Sequence, residues 1–286
     1  MSRYVATEEF IQALKLGQKE YKEASAAGKQ LHPLVLDELL TDGIAESVID
    51  VGLVDIPAER IVGVKASGRV TAFSATFRPL LDLKTEFGAK WVSLCEAHLG
   101  ETGITDPIQC YECLGNFYVQ EGNKRVSVLR HFESPQIPGY VKRILPNKTE
   151  EPRIQAYYEF LEFYKDAKLY QPQFRRPGDY GKLLKYVGKS KGEPWTEEER
   201  RNFRSSFYYF NRAYEKLCEE PIRATAADAL MEWLKLYPFE KIKAMSNAEL
   251  LRSLEAIWNT VKAIGQQNII EVNTHSPAAE EKDFKN

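Results

Sequence analysis

No apolar stretch in this sequence approaches the roughly 20 residues that a bilayer demands, which argues against a membrane span. Residues Met1 to Lys15 read as an amphipathic helix without the apolar run of a signal peptide. Cysteine is scarce: four in 286 residues do not make a disulfide framework. Excess charge of either sign is missing as well. Lys and Arg total 39 against 41 Asp and Glu, a formal net charge of -2, so the protein does not coat nucleic acid with its whole surface, although a local basic face stays open. The four histidines, His32, His98, His131 and His275, have no ligand spacing, and neither a Walker A sequence nor a G-x-S-x-G is present. No internal repeat is visible. These absences together predict a soluble, cytoplasmic protein with no membrane partner.

What is there suffices for a core. Hydrophobic residues make up 43% of the chain, and its length suits two modest domains better than one. Thr7 is placed to cap a first helix with apolar positions Phe10, Leu14, Gly17 and Tyr21, and Pro33 to Leu40 reads as a second, short helix. From Val48 to Ile56 the β-branched and apolar residues predict a strand closed by Pro57. Asp82 to Leu99 is helical in spacing. Strands are expected over Pro107–Cys113, Asn116–Gln120 and Pro138–Ile144, with Leu114-Gly115-Asn116 as the turn between the first two and a helix over Lys124–Phe132. After Glu151 the pattern is all helix. The stripes there are Ile154, Tyr157, Leu161, Tyr164; Phe203, Phe207, Phe210, Tyr214, Leu217; and Leu250, Leu254, Ile257, Val261, Ile264, with capping boxes at Thr196 and Ser246. The expected fold class is therefore mixed α/β. It comprises an N-terminal helical segment (1–45), a small mixed-sheet domain (46–150), an all-helical domain (151–270) and a disordered tail (271–286).

The strand-to-helix junction at Glu121-Gly122-Asn123-Lys124-Arg125 carries the chemistry. Binding a phosphate takes backbone N–H groups converging at a helix start, a residue small enough to admit the anion, and a cation. Gly122 supplies the close approach, while Asn123, Lys124 and Arg125 fall in the first helical turn. Two cations there oppose the helix dipole, and a bound anion would relieve the conflict. The alternative is an ordinary helix start with solvated basic residues.

The segments around this junction resemble the ParB N-terminal and sulfiredoxin family. Val54-Asp55-Ile56-Pro57-Ala58-Glu59-Arg60 is similar to the family's opening strand and turn. A helix, Gly103-Ile104-Thr105-Asp106-Pro107-Ile108, the hairpin, Glu121 to Ser127 and finally Ile137-Pro138-Gly139-Tyr140-Val141 follow in the family's order. The resemblance covers about residues 48 to 145. It implies a fold that holds CTP or ATP, with Gly122, Asn123, Lys124 and Arg125 on the phosphates and a divalent ion, Mg, beside them. It also implies a second phosphate-contacting arginine, for which Arg69 is the candidate. Lys124 stands where many ParB proteins carry arginine. Asn123 replaces the cysteine that sulfiredoxin chemistry needs, so sulfinic-acid reduction is not expected. Glu121 is a candidate for positioning metal or acting as a base; its other reading is to accept hydrogen bonds from the turn's own amides.

Cys110-Tyr111-Glu112-Cys113 is a CxxC without a second pair, and on a strand its thiols would face opposite ways. Phe174 to Gly192 holds Arg175, Arg176, Lys182, Lys185, Lys189 and Lys191 with Phe174, Tyr180 and Tyr186 interleaved, the makings of a nucleic-acid contact or of a solvated basic linker. Leu183-Leu184 and the Thr196 helix suggest a loose helix-turn-helix. Three functions follow: a nucleotide-dependent switch acting on DNA, on a protein partner or on a second copy in a homodimer; a phosphoryl-transfer enzyme, a small-molecule kinase or nuclease-like, at the same site; or a non-catalytic interaction module. Domains resembling this one also stand ahead of substrate-binding modules of the basic membrane type, where this chain's polar end would fit.

Overall fold

The computed structural model describes residues 3–40, 45–101, 103–218 and 224–264, and the chain divides into two compact units, Met1–Thr149 and Glu150–Asn286. The tail 271–286, read from the sequence as disordered, lies outside the described residues.

The first unit is a six-stranded mixed sheet with its helices. In chain order its elements are α1 (Arg3–Ala26), β1 (Leu34–Val35), α2 (Leu36–Leu39), β2 (Ala45–Pro57), β3 (Ile61–Val64), α3 (Glu86–His98), β4 (Ile108–Cys113), β5 (Asn116–Glu121), α4 (Asn123–His131) and β6 (Gln136–Pro146). The strand order is β1-β3-β5-β4-β6-β2. β1 with β3, β3 with β5 and β4 with β6 run parallel, whereas β4–β5 and β2–β6 are antiparallel. Ile56, Ile61, Ile108, Phe117, Val119 and Val141 are buried on the sheet, and α1, α3 and α4 bring Phe10, Trp91 and Val126 to the same core. Trp91 joins the three helices. Its ring meets Phe10 edge-on at 5.3 Å, and its indole N–H donates to Ser127 Oγ at 2.9 Å, which satisfies the one polar group a buried tryptophan brings with it.

Several expectations are corrected. The N-terminal helical segment lies within the first compact unit, where α1 packs on α3; Leu34–Val35, expected inside a helix, instead pairs with Gly63–Val64 as a sheet edge. A parallel partner outweighs the weak helical preference of so short a piece and leaves a single turn, α2. Thr7 is no cap; it lies inside α1 with its hydroxyl donating to the Arg3 carbonyl. In the β4–β5 turn, Leu114 and Gly115 take positive φ (51° and 79°), and Asn116 begins the strand. A two-residue turn of that hand matches the strand twist, and Gly115 N–H is tied to Glu112 Oε1 at 2.7 Å. The same Glu112, wholly buried, pairs with Arg143 across β4 and β6.

The second unit is helical: α5 (Pro152–Ala167), α6 (Asp179–Tyr186), α7 (Glu197–Leu217), α8 (Ala226–Trp233), α9 (Lys241–Ala244) and α10 (Asn247–Glu255). The boxes at Thr196 and Ser246 form as read, and a third, Thr225 with Asp228, opens α8. The aromatic stripe of α7 is core: Phe203 stacks on Phe239 at 5.1 Å, and Phe210 meets Trp233 at 5.8 Å. On α5 the buried line runs through Phe160 and Phe163, leaving Leu161 and Tyr164 half-buried. Among the described residues no helix is long and apolar enough to cross a membrane.

Candidate functional site

β5 stops at Glu121 and α4 starts at Asn123, so Gly122 alone makes the junction, at φ 103° and ψ 18°. Only glycine adopts this conformation without strain. The space is closed as well, because a Cβ on Gly122 would lie 2.7 Å from Ile108 Cγ2. No side chain caps α4, so the first-turn N–H groups of Asn123, Lys124 and Arg125, which a helix leaves without internal partners, stay available.

The two cations of the motif have separated roles. The Arg125 guanidinium turns back and donates to the carbonyls of Asp106 (3.1 Å) and Pro107 (2.5 Å), with Glu121 Oε1 3.8 Å away. It fastens the entry to β4 onto α4, so it is first a structural group. Lys124 stays outside that clamp, its ammonium 5.2 Å from the centre of the Phe87 ring. Burial first, then the charges of Arg69 and Lys90, hold its pKa below the usual lysine range, while Glu86 acts in the opposite sense. Glu86 in turn is held acidic by its hydrogen bond and ion pair with Lys90 (2.5 Å) and by Arg69 and Lys124. Arg69, Lys90, Lys124 and Glu86 therefore feel one another across three elements: the 3-10 turn Ser67–Ala72, the first turns of α3, and α4. Arg69 was read from the sequence as a second phosphate-contacting arginine; in the fold its charge acts on Lys124 and Glu86. Lys90 and Glu86 were not read. Their signal was a Glu-Lys pair at (i, i+4) that looks like ordinary helix decoration, and only the tertiary approach of α3 to α4 gives it meaning.

Asn123 adds an unusual feature: its Oδ1 is buried and has no hydrogen-bond partner. A side-chain amide in that state carries a cost of about 1–3 kcal/mol, and it presents either an acceptor or, rotated, an N–H₂ to whatever occupies the site. Glu121 is 64% exposed along its side chain and takes no bond from the turn's amides. A cavity of about 790 Å³ in the same unit, lined by Glu20, Arg78, Arg130 and His131 among others, lies toward the other end of α4 and includes none of the motif residues. Two of its charged side chains are already committed: Arg130 donates to the carbonyls of Thr76, Ala58 and Ile61, and Glu20 receives Ser74, Thr76 and Arg78.

In the second unit the basic candidates divide between ion pairs and open solvent. In the basic segment, Arg176 faces Asp179 and Asp228, Lys182 pairs with Asp179 at 2.8 Å, Lys189 with Glu193 and Glu199, and Lys191 with Glu162. Arg175 and Lys185 are exposed without a carboxylate partner among the described residues. Phe174 and Tyr180 are 6% and 2% exposed. They are core residues, not stacking platforms, because the Tyr180 ring packs between Phe163 and Phe174. Ten residues separate α6 from α7, against the three or four of a helix-turn-helix. Cys110 and Cys113 are both buried, and burial pushes the Cys110 thiol up to about 12, which removes it from nucleophilic and redox work near neutrality. Among the described residues no group of three or more His, Cys, Asp or Glu is arranged to hold a metal ion.

Comparison with protein-family models gives no match, and comparison with curated proteins gives none either.

Proposed function

We propose that the first unit binds a nucleoside triphosphate, CTP or ATP, with its polyphosphate at the start of α4, and uses the bound state as a switch. The observation that carries this reading is an uncapped helix N-terminus entered through a left-handed glycine, with Lys124 in its first turn and the charges of Arg69 and Lys90 acting on that lysine. Three cations that repel one another, set against free backbone N–H groups, form an arrangement that an anion stabilises and that water satisfies poorly. The order of motifs similar to ParB and sulfiredoxin domains supports the same ligand. Asn123 would turn its amide to a phosphate oxygen. A Mg ion, which binds nucleotides through one or two carboxylates plus phosphate oxygens, would find a carboxylate in Glu86 or Glu121.

The test is equilibrium binding of CTP, ATP and GTP with magnesium to wild type, Lys124→Ala and Arg69→Ala. Lys124 is the informative position because it lies outside the Arg125 clamp. Each substitution is expected to weaken binding about tenfold, the worth of one charge-assisted phosphate contact. Equal binding by all three proteins, or none by wild type, would sink the reading.

A further inference from the structure

We propose that the solvent face of α7 binds an unpaired nucleic-acid strand, RNA or single-stranded DNA. This inference concerns the second unit alone and stands independently of the nucleotide site. Residues 200–212 read Arg-Arg-Asn-Phe-Arg-Ser-Ser-Phe-Tyr-Tyr-Phe-Asn-Arg: four arginines and no carboxylate in 13 residues. The helix sorts them. Phe203, Ser206, Phe207 and Phe210 go to the core, and Arg201, Arg204, Tyr208, Tyr209 and Arg212 go to solvent. Arg201, Arg204, Tyr208 and Arg212 follow one another at spacings of three, four and four, so they share one stripe. At 1.5 Å per residue it is about 16 Å long.

Three features select the ligand. First, Arg201 and Arg204 form no close ion pair among the described residues, the charge of Glu197 acting on both only from a distance, and Arg212 meets Glu215 only at 3.8 Å; the acidic residues of this part of α7 are gathered in the first turn, Glu197 to Glu199. α9 adds to the cationic side, since Lys243 donates to Asn202 at 2.7 Å. Second, the cations on the stripe are arginines, whose planar fork grips phosphate with two bonds. Third, Tyr208 sits between Arg204 and Arg212 and is 59% exposed, with Tyr209 beside it at 40%. An exposed ring flanked by guanidinium groups has a use for an unstacked base, which a duplex does not offer. A membrane surface would call for several large aliphatic or tryptophan side chains along this face, and the stripe has none.

Full-length protein is titrated into a labelled mixed-sequence single strand of about 20 nucleotides, as RNA and as DNA, beside the same sequence as duplex, polyglutamate and anionic phospholipid vesicles. Single strand is expected to bind best. Replacing Arg201, Arg204 and Arg212 together by Gln should reduce affinity at least tenfold and lower the salt slope by about 2, three phosphates at about 0.7 each. Tyr208→Ala should cost about fivefold on single strand and nothing on duplex. Far-ultraviolet circular dichroism confirms that the variants keep α7, whose buried face they do not touch. Tighter binding to duplex, to polyglutamate or to vesicles, affinity unchanged in the triple variant, or no binding to any strand would each overturn the proposal. RNA and DNA binding alike support it, and a preference between them identifies the source.

Discussion

Two helix starts in this molecule are built on opposite principles. α7 opens with Thr196 capping Glu199 N–H, Glu199 returning the bond at 2.8 Å, and three glutamates in the first turn; every local rule for the positive end of a helix is obeyed. α4 opens with a glycine, no side-chain cap, and Lys124 and Arg125 where acids would be favoured. The first arrangement is complete by itself. The second leaves its first-turn N–H groups without a side-chain cap, and the difference teaches that a local rule broken at a helix start marks where to test for a ligand.

The comparison can be broken at its glycine first. Gly122→Ala must carry a φ of 103° and a Cβ 2.7 Å from Ile108, so the first unit is expected to lose about 3 kcal/mol in urea unfolding. A loss under about 1 kcal/mol would mean that the turn is not held as described. Arg125→Ala removes the bonds to the Asp106 and Pro107 carbonyls and should cost about 2 kcal/mol. Lys124→Ala, one residue away, should leave stability within about 0.5 kcal/mol while nucleotide affinity falls, so the pair separates a structural cation from a binding one. On the other side, Thr196→Ala removes a working cap and should cost the second unit about 1 kcal/mol, with no effect on nucleotide. Glu86→Gln deletes the one carboxylate among the three cations and should tighten nucleotide binding about two- to fivefold, the scale of an exposed pair; weaker binding would instead assign Glu86 to a metal.

The smallest effect is on pH. Lys124 is held below the usual lysine value of 10.5, so in the alkaline range below 10.5 it binds fewer protons folded than unfolded, and this group makes ligand-free stability rise with pH. Nucleotide affinity should fall over the same range as the ammonium is lost. Both trends should be absent in Lys124→Ala, measured by unfolding and by calorimetric titration.

Much of this was legible before any coordinates. The strands β2, β4, β5 and β6, the capping boxes at Thr196 and Ser246 and the break at Gly122 each depend on residues close in sequence, and each was found within a few residues. The misses share a cause. Leu34–Val35 became a strand because a distant strand, β3, needed an edge partner. Tyr180 left the basic surface because Phe163, on another helix, buries it. Asp228, some fifty residues beyond Arg176, neutralises part of a charge that looked free. The α7 arginines stand in a run without a carboxylate, but the phenylalanines between them mark the helix first as core.

By itself the sequence determined the bounds of β2, β4, β5, β6 and α7 to within a few residues, since caps, glycines and apolar periodicity act over three or four residues. It also determined that the chain breaks at Gly122 between β5 and α4. Only the tertiary structure decided which of the nearby cations are claimed by other groups. Arg125 is claimed by two carbonyls some eighteen residues back, whereas Lys90 and Arg69 arrive from other elements. Charge acts through space over distances that chain order does not record, so a motif can announce a site without saying which of its residues remain free to bind.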